Sequence, residues 1–204
     1  MVHTGGTEHA DWNYHPIVGP VLRRRHALVV SLLPPCERLL ELGYGSGMMM
    51  RELQRHCCEL HGLDLHDRSD EVAAALARFG VRPHLQTGDV RSMPYDDAYF
   101  DAVVAESVLA HVDDIDVACG EIRRVLRRDG ALVAVVPGRS RVVDGALRLF
   151  TRARAQDDFA DRQAVIPALL RHFEVERRRT VPRRGPRSMR LYTAVRLRPR
   201  DRAQ

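Results

Sequence analysis

The chain has 204 residues, 45% of them hydrophobic, which fits one domain with a single sizeable core. It holds no uninterrupted apolar run of 18 residues and no basic n-region followed by an apolar h-region, the pattern of a signal peptide. We therefore expect neither a transmembrane span nor a secretory signal, and we expect a cytoplasmic protein. The four cysteines have no C-x-x-C spacing, so we expect no metal site and no disulfide framework.

Charge is distributed unevenly along the chain. The formal net charge is +5 and every basic side chain is Arg, because the sequence contains no Lys. Twelve Arg and only three acidic residues lie between residue 171 and the end. Such a tail suits nucleic acid, an anionic membrane surface or an acidic substrate, but biased coding-DNA composition produces the same Arg richness.

Strand-like and helix-like patterns alternate along the chain. The first element is a helix over 16–33, which stops before Pro34-Pro35. The next strands are predicted at 37–42, 59–64, 82–86, 100–105 and 131–136, and the helices between them at 47–57, 69–79 and 114–128. An irregular segment at 139–157, a helix at 160–171 and strands at 173–180 and 190–198 follow, with a turn at 182–186. Strands separated by helices of this length indicate parallel βαβ units with right-handed crossovers.

The most distinctive motif follows the first strand and reads Glu41-Leu-Gly-Tyr-Gly-Ser-Gly47. Glycine has no Cβ and tolerates positive φ, so a ligand can lie directly against this backbone. Open α/β sheets bind their ligands at the carboxyl ends of the strands. The dinucleotide fingerprint G-x-G-x-x-G is not matched, because its third glycine position is Met48, so a nicotinamide or flavin site is the weaker interpretation. For this motif alone, a tight turn without a ligand is the other alternative.

Five further segments follow in order and at regular distances from the glycine loop. They are Gly62-Leu-Asp64, Gly88-Asp89-Val90, Met93 to Asp101, Ser107 to Asp113, and Glu121 to Leu126. Together with the loop they resemble the class I S-adenosylmethionine-dependent methyltransferases, most closely the small-molecule type with a ubiquinone/menaquinone-methyltransferase-like signature. The resemblance is strong over 36–137 and weak elsewhere.

The resemblance implies a particular α/β fold. This fold is a Rossmann-like three-layer sandwich with a mostly parallel seven-stranded sheet in the order 3-2-1-4-5-7-6, strand 7 antiparallel, and helices on both faces. Residues 1–35 would form an N-terminal cap segment and helix, and 36–204 the methyltransferase domain. Within that domain, 139–157 is a candidate substrate lid and 171–204 forms the Arg-rich C-terminal strands.

The resemblance also implies a site for S-adenosyl-L-methionine. Its cofactor-binding residues would be Glu41, Gly43, Tyr44, Gly45, Gly47, Asp64, Leu65, Gly88, Asp89, Val90, Ala105 and Glu106. Asp64 would accept hydrogen bonds from the ribose hydroxyls, although a dinucleotide would want the same residue and a solvated strand-end acid is the simpler alternative. Asp89 would accept from the adenine amino group, with Leu65 and Met93 on the adenine faces; its alternative role is a helix N-cap.

The sequence does not identify a catalytic residue, and the weak candidates are His111, Glu106, Tyr14 and His15. A His at the position of His111 occurs in relatives with unlike substrates, which favours packing or loop shaping. Methyl transfer is an in-line displacement that chiefly needs alignment and exclusion of water. No Asn-Pro-Pro-Tyr-like sequence follows strand 4, which argues against the amino-methylating DNA and glutamine enzymes. The accepting atom stays open among O, N, C and S.

We therefore predict methyl transfer to a small-molecule acceptor, apolar acceptors included. The alternative is a catalytically reduced methyltransferase-like protein that binds nucleic acid through its Arg-rich C-terminus. The amphipathic run Val142 to Phe150 suggests a lid or a peripheral membrane contact, with an ordinary packed helix favoured over both.

Two departures from the family pattern stand out: Arg128-Asp129-Gly130 replaces Pro-Gly-Gly, and Tyr44 replaces a small residue, where it would crowd the methionine end. The sequence carries no signal for an oligomeric state.

Overall fold

A seven-stranded sheet forms the centre of the protein in the computed structural model, which describes residues 18–106, 108–137, 162–182 and 192–200. The strands are β1 (Arg38–Leu42), β2 (Glu59–Asp64), β3 (His84–Thr87), β4 (Phe100–Glu106), β5 (Leu126–Pro137), β6 (Phe173–Val181) and β7 (Tyr192–Pro199). The α-helices are α1 (Val18–Val30), α2 (Met50–Leu53), α3 (Ser69–Ala77), α4 (Ile115–Val125) and α5 (Arg162–His172). Short 3-10 turns cover Gln54–His56 and Val108–His111.

The strand order is β3-β2-β1-β4-β5-β7-β6, as predicted. Strands β1 to β5 pair in parallel, whereas β7 runs antiparallel to both β5 and β6. The prediction of fold class and strand order is therefore confirmed.

Helices cover both faces of the sheet because the parallel strands are apolar on both sides. Leu39 of β1 packs in one core with residues of α1, α2 and α3, and Leu40 packs in the other with residues of α4 and α5. Successive strand residues point to opposite faces, which is why neighbouring leucines belong to different cores. The face covered by α1, α2 and α3 is called here the α1–α3 face.

The predicted helix over 114–128 and the predicted strand over 131–136 have the wrong boundary. Helix α4 ends at Val125, and Leu126 is already extended (φ −76°, ψ 139°) and paired with Phe100. Arg127 forms an ion pair with Asp101 on β4, so tertiary pairing overrides the helical pattern of this Arg-rich run. The β4–β5 register shifts between Phe100, which pairs with Leu126, and Ala102, which pairs with Ala131, and Asp129-Gly130 lies within this irregularity.

The predicted helix over 47–57 is also only partly present. Regular helix covers Met50–Leu53 and continues as a 3-10 turn to His56. The glycine loop delays the start, because Gly47 has φ +77° and donates its N–H to the Tyr44 carbonyl at 2.8 Å. The other predicted elements agree to within a few residues, while 139–157 and 183–186 lie outside the described residues.

Part of the signature that carried the family resemblance stabilises the fold. Asp101 Oδ2 accepts the backbone N–H groups of Glu37 and Arg38 at 2.9 and 2.8 Å, which fixes the start of β1 against β4. Glu121 accepts from the Met93 N–H at 2.9 Å, and Arg124 donates to the Met93 carbonyl at 2.9 Å. These residues fix the segment that leads from β3 to β4.

Candidate functional site

Three carboxylates converge at the carboxyl ends of β1, β2 and β4. Glu41 is level with Gly62 on β2 and with Val104 on β4. Asp64 and Glu106 stand two residues further along those strands, so all three acids project from the same, α1–α3 face of the sheet. Sequence reasoning selected each residue separately, and the register brings them together.

Glu41 is the most deeply buried of these acids, with 3% of its surface exposed. Its Oε2 has no hydrogen-bond partner among the described residues. Burial raises the pKa of Glu41 well above its usual range, the Glu106 and Asp64 carboxylates raise it further, and Arg25 opposes them. A buried carboxyl with an unmet oxygen is suited to receive a cation or a hydrogen-bond donor.

Helix α1 covers this cluster and brings two basic side chains that sequence reasoning missed. Arg25 Nε lies 2.5 Å from Glu106 Oε1, and His26 Nε2 lies 3.7 Å from Glu106 Oε2. Burial, more than any other influence, lowers the pKa of His26, while Glu106 acts to raise it. No local pattern marks these residues, because only the packing of α1 across the sheet places them at the site.

The glycine loop turns through positive φ at three residues: +69° at Gly43, +49° at Gly45 and +77° at Gly47. A Cβ on Gly43 would lie 2.8 Å from the Val108 side chain, and one on Gly47 would lie 2.8 Å from Leu76 Cδ1. Glycine at these two positions is therefore required by the protein's own packing as well as by the turn. The glycines of the motif therefore serve the packing of the loop as well as any contact between its backbone and a ligand.

Tyr44 lies beneath the loop with 3% of its surface exposed. Its ring packs edge-on against His66, with centroids 4.8 Å apart, and it borders the position that a Cβ on Gly62 would occupy. Burial raises the pKa of the Tyr44 hydroxyl to about 12. Tyr44, which replaces a small residue of the family pattern, is thus accommodated in the core on the α1–α3 face.

Asp64 is hydrogen-bonded to the glycine loop. Its Oδ2 accepts the Gly45 N–H at 2.8 Å, and its side chain is 18% exposed. It is therefore not a freely solvated strand-end acid. His66, a third residue that sequence reasoning missed, places Nε2 3.1 Å from the Gly45 carbonyl oxygen. Its position two residues after the strand-end acid Asp64 is the sequence feature that could have indicated a role at the site.

The next group of predicted residues lies at the ends of β2 and β3. Leu65 is 74% exposed, an unusual position for a large apolar side chain, whereas the side chains of Val90 and Met93 are buried. Gly88 donates its N–H to the Asp64 carbonyl at 2.8 Å, which holds the two strand ends together.

Asp89 closes a turn after β3. It accepts the Arg91 backbone N–H at 2.8 Å and forms an ion pair with the Arg91 guanidinium at 2.6 Å. Hydrogen bonds from the Arg91 side chain and backbone lower the pKa of Asp89. Among the described residues no helix starts here, so the N-cap alternative for Asp89 is wrong.

The weak catalytic candidates are dispersed. His111 is exposed at the end of its 3-10 turn, whereas Glu106 is buried beside Arg25. Tyr14 and His15 lie outside the described residues, as does Ser107. Within the described ranges, no cluster of three or more His, Cys, Asp or Glu side chains is arranged to hold a metal ion. None of the described helices is long and apolar enough to cross a membrane.

An apolar cleft opens at the carboxyl ends of β4 and β5, adjoining Glu106 in the chain. It is lined by Ala105, Leu109, Ala110, Ala134, Val135, Val136 and Val165. Every lining side chain is aliphatic, and the cleft has a volume of about 10 Å³, which is room for a single water molecule. The acids and the cleft lie at the same edge of the sheet but on opposite faces, because most of the lining belongs to the core under α4 and α5.

Comparison with known proteins places this arrangement in a family. Residues 40–134 match the methyltransferase domain family. The chain is 31% identical over 119 residues to the demethylmenaquinone methyltransferase of Roseiflexus castenholzii. The aligned region covers 57% of this chain and 50% of that enzyme. The chain is also 30% identical over 101 residues to the phosphatidylethanolamine N-methyltransferase of Cereibacter sphaeroides, covering 48% and 49% of the two chains. The chain thus spans about half the length of these curated relatives.

The fold is shared with solved structures at lower identity. The N-methyltransferase NodS from Bradyrhizobium japonicum, crystallised with S-adenosyl-L-homocysteine, superposes with a TM-score of 0.68 at 19% identity. The match covers 98% of this chain and 95% of that one.

Proposed function

Because the chain belongs to the class I S-adenosylmethionine-dependent methyltransferases, we propose that the protein transfers the methyl group of S-adenosylmethionine to a small apolar acceptor. The aliphatic residues at the carboxyl ends of β4 and β5 support the acceptor part of the proposal. Most of them lie on the face covered by α4 and α5, so an apolar acceptor would approach the acidic cluster on the α1–α3 face across the carboxyl end of β4.

The residues at the strand ends fit the cofactor. Glu41 offers a buried carboxyl oxygen without a partner in the described chain, which suits the ammonium of the methionine part. The Gly43–Gly47 backbone would lie alongside that part of the molecule. Glu106 would stand at the passage to the acceptor.

The nucleoside part would bind along the ends of β2 and β3. Asp64 would accept from the ribose hydroxyls through the oxygen that faces away from Gly45. The exposed Leu65 side chain would cover one adenine face, and Asp89 would accept from the adenine amino group after exchanging part of its contact with Arg91. Because the Val90 side chain is buried, Val90 would offer its backbone N–H to the nucleoside part.

When bound, the cofactor supplies a methyl group on a positively charged sulfur, and the protein need not provide a nucleophile. The residues of this chain would align the two reactants at the edge of the sheet and exclude water through α1 and the aliphatic cleft. Glu106 would hold negative charge near the sulfur's positive charge. His111, exposed on its turn, is not required by this scheme.

The two curated relatives support an apolar acceptor. They are named for demethylmenaquinone and phosphatidylethanolamine, and both of these molecules are lipids. The alternative of nucleic-acid binding through the C-terminal Arg residues has no comparable support.

The proposal is tested by methyl-labelling of fractionated cell extract. The protein is incubated with methyl-labelled S-adenosylmethionine and separate lipid, aqueous small-molecule, RNA and protein fractions. We expect label in the lipid fraction, loss of labelling in Asp64→Ala, and unchanged labelling in Asp67→Ala, whose side chain is exposed next to the site. Label in the RNA or protein fraction, or no transfer to any fraction, contradicts the proposal.

A further inference from the structure

Gly45, at the centre of the glycine loop, is held on both sides of its backbone. Its N–H donates to Asp64 Oδ2 at 2.8 Å, and its carbonyl oxygen lies 3.1 Å from His66 Nε2. The residue has φ +49°, a conformation that the loop must keep for its backbone to face the carboxyl edge of the sheet. Two side chains from the end of β2 therefore fix the two peptide groups on either side of Gly45.

The hydrogen-bond pattern around His66 determines its tautomer. The Arg68 backbone N–H lies 3.2 Å from His66 Nδ1, and a backbone amide can only donate, so Nδ1 is the acceptor. The Gly45 carbonyl can only accept, so Nε2 carries the hydrogen. Both ring nitrogens are thus used, one toward the start of α3 and one toward the loop.

The His66 ring is also fixed in orientation. Its side chain is 10% exposed, and the Tyr44 ring meets it edge-on at an interplanar angle of 82°. The His66 carbonyl accepts from Thr87 Oγ1 at 2.9 Å, which ties this segment to the end of β3. His66 therefore connects the glycine loop, β3 and the start of α3.

We propose that His66 is a positioning residue for cofactor binding, which sets the peptide group between Gly45 and Ser46 in its binding conformation before the cofactor arrives. The inference rests on the proposed function, because it assigns the loop to the methionine part of S-adenosylmethionine. A loop that is already ordered loses less conformational freedom on binding, and this raises affinity without a direct contact. A serine at residue 66 would be too short to reach both the Arg68 amide and the Gly45 carbonyl.

Two amide substitutions separate the two bonds of the imidazole. His66→Asn places its oxygen near the position of Nδ1 and keeps the acceptor for the Arg68 N–H. His66→Gln places its NH₂ near the position of Nε2 and keeps the donor to the Gly45 carbonyl. If His66 only stabilises the fold, the bond to the Arg68 N–H is the one that matters. If His66 positions the loop, loss of the bond to the Gly45 carbonyl should weaken cofactor binding.

The variants are compared by calorimetric titration with S-adenosyl-L-homocysteine and by thermal unfolding. We expect His66→Asn to keep the melting temperature and bind about five- to tenfold more weakly, the loss that one hydrogen bond produces. We expect His66→Gln to bind within about twofold of the unsubstituted protein, with a lower melting temperature. His56→Asn, an exposed histidine on the 3-10 turn, is the control and should change neither quantity.

Hydrogen exchange of the Gly45 amide in the ligand-free protein provides a readout that does not depend on the cofactor. We expect faster exchange in His66→Asn than in His66→Gln or the unsubstituted protein. Equal affinities and equal Gly45 exchange in both variants would overturn the proposal. If the unsubstituted protein binds no S-adenosyl-L-homocysteine, the proposed function fails, and Gly45 exchange then decides by itself whether His66 positions the loop.

Discussion

At the scale of single residues, the site contains groups that destabilise the ligand-free protein. Glu41 is buried with an unmet oxygen, and its pKa is raised by burial and by two neighbouring carboxylates. Such an arrangement is costly for folding, because the unfolded chain ionises this group freely in water. A cationic ligand would relieve the cost, which connects the instability of Glu41 to the binding role proposed for it.

Replacing Glu41 by Gln should stabilise the protein and weaken binding. The folded protein keeps the Glu41 proton from the usual value of 4.5 up to the raised pKa, whereas the unfolded chain loses it, so stability falls as pH rises through this window. Thermal unfolding of Glu41→Gln should show a gain at pH 8, about 2 to 4 °C per kcal/mol of penalty removed, and no gain at pH 4. Affinity for S-adenosyl-L-homocysteine should fall about tenfold.

Glu37→Gln, an exposed acid just before β1, is the matched control and should change neither property. A Glu41→Gln protein that is less stable than the unsubstituted one at pH 8 would contradict this account of the buried carboxyl.

His61 on β2 makes the fold sensitive to acid. Its Nδ1 has no hydrogen-bond partner within the described chain, its Nε2 lies 3.7 Å from Glu59 Oε2, and the ring stacks on His84 with centroids 4.8 Å apart. Burial lowers the pKa of His61, and His84 lowers it further, so the folded protein holds the ring neutral. Stability is therefore complete above the usual value of 6.5 and is lost as pH falls below it, by at most about 1.4 kcal/mol per pH unit for one proton.

Urea unfolding of His61→Phe between pH 7.5 and pH 5 tests this effect. The aromatic neighbour Phe100 lies 5.2 Å away edge-on, so a phenyl ring fits among similar contacts. We expect a smaller loss of stability in acid than in the unsubstituted protein. Equal acid sensitivity in the two proteins would show that other groups, such as His26, cause it.

At the scale of elements, the amino ends of the strands are fixed by Asp101. Its side chain accepts two backbone N–H groups at the start of β1 and pairs with Arg127 at the start of β5. This anchor lies at the edge of the sheet opposite the carboxylate cluster. Its effect should therefore be on stability alone.

Asp101→Ala should lower the free energy of unfolding by about 3 kcal/mol, because it leaves two backbone donors and one guanidinium without their acceptor. Urea denaturation measures the change, and calorimetry should show unchanged affinity for S-adenosyl-L-homocysteine. Asp97→Ala removes an acid that also pairs with an Arg but has a side chain 79% exposed, and it should cost less than about 0.5 kcal/mol. Equal costs in the two variants would refute the anchoring role.

At the scale of the whole molecule, charge in the described C-terminal hairpin is partly balanced. Glu176 on β6 pairs with Arg196 at 2.7 Å and with Arg198 at 3.1 Å, both on β7. Two of the C-terminal Arg residues are thus used within the sheet, which weakens the case for a dedicated nucleic-acid surface. Residues 40–134 match the methyltransferase domain family, and the C-terminal strands β6 and β7 complete the sheet beyond them.

The sequence predicted the architecture well because the alternation of buried strands and amphipathic helices follows local rules. Leu39 to Gly47 and the strand-end acids Asp64 and Asp89 could be located by motif alone. Arg25 could not, because its relation to Glu106 exists only when α1 crosses the sheet. The boundary at Leu126 was missed because pairing with Phe100 outweighs the local helical pattern.

The most direct test of the account is a calorimetric titration of S-adenosyl-L-homocysteine into the protein at pH 8. We predict one site with micromolar affinity, loss of the heat in Asp64→Ala, and retention of it in Asp67→Ala. The absence of heat with this ligand, together with a rise in melting temperature on adding NAD, would contradict the assignment of the carboxyl edge to S-adenosylmethionine.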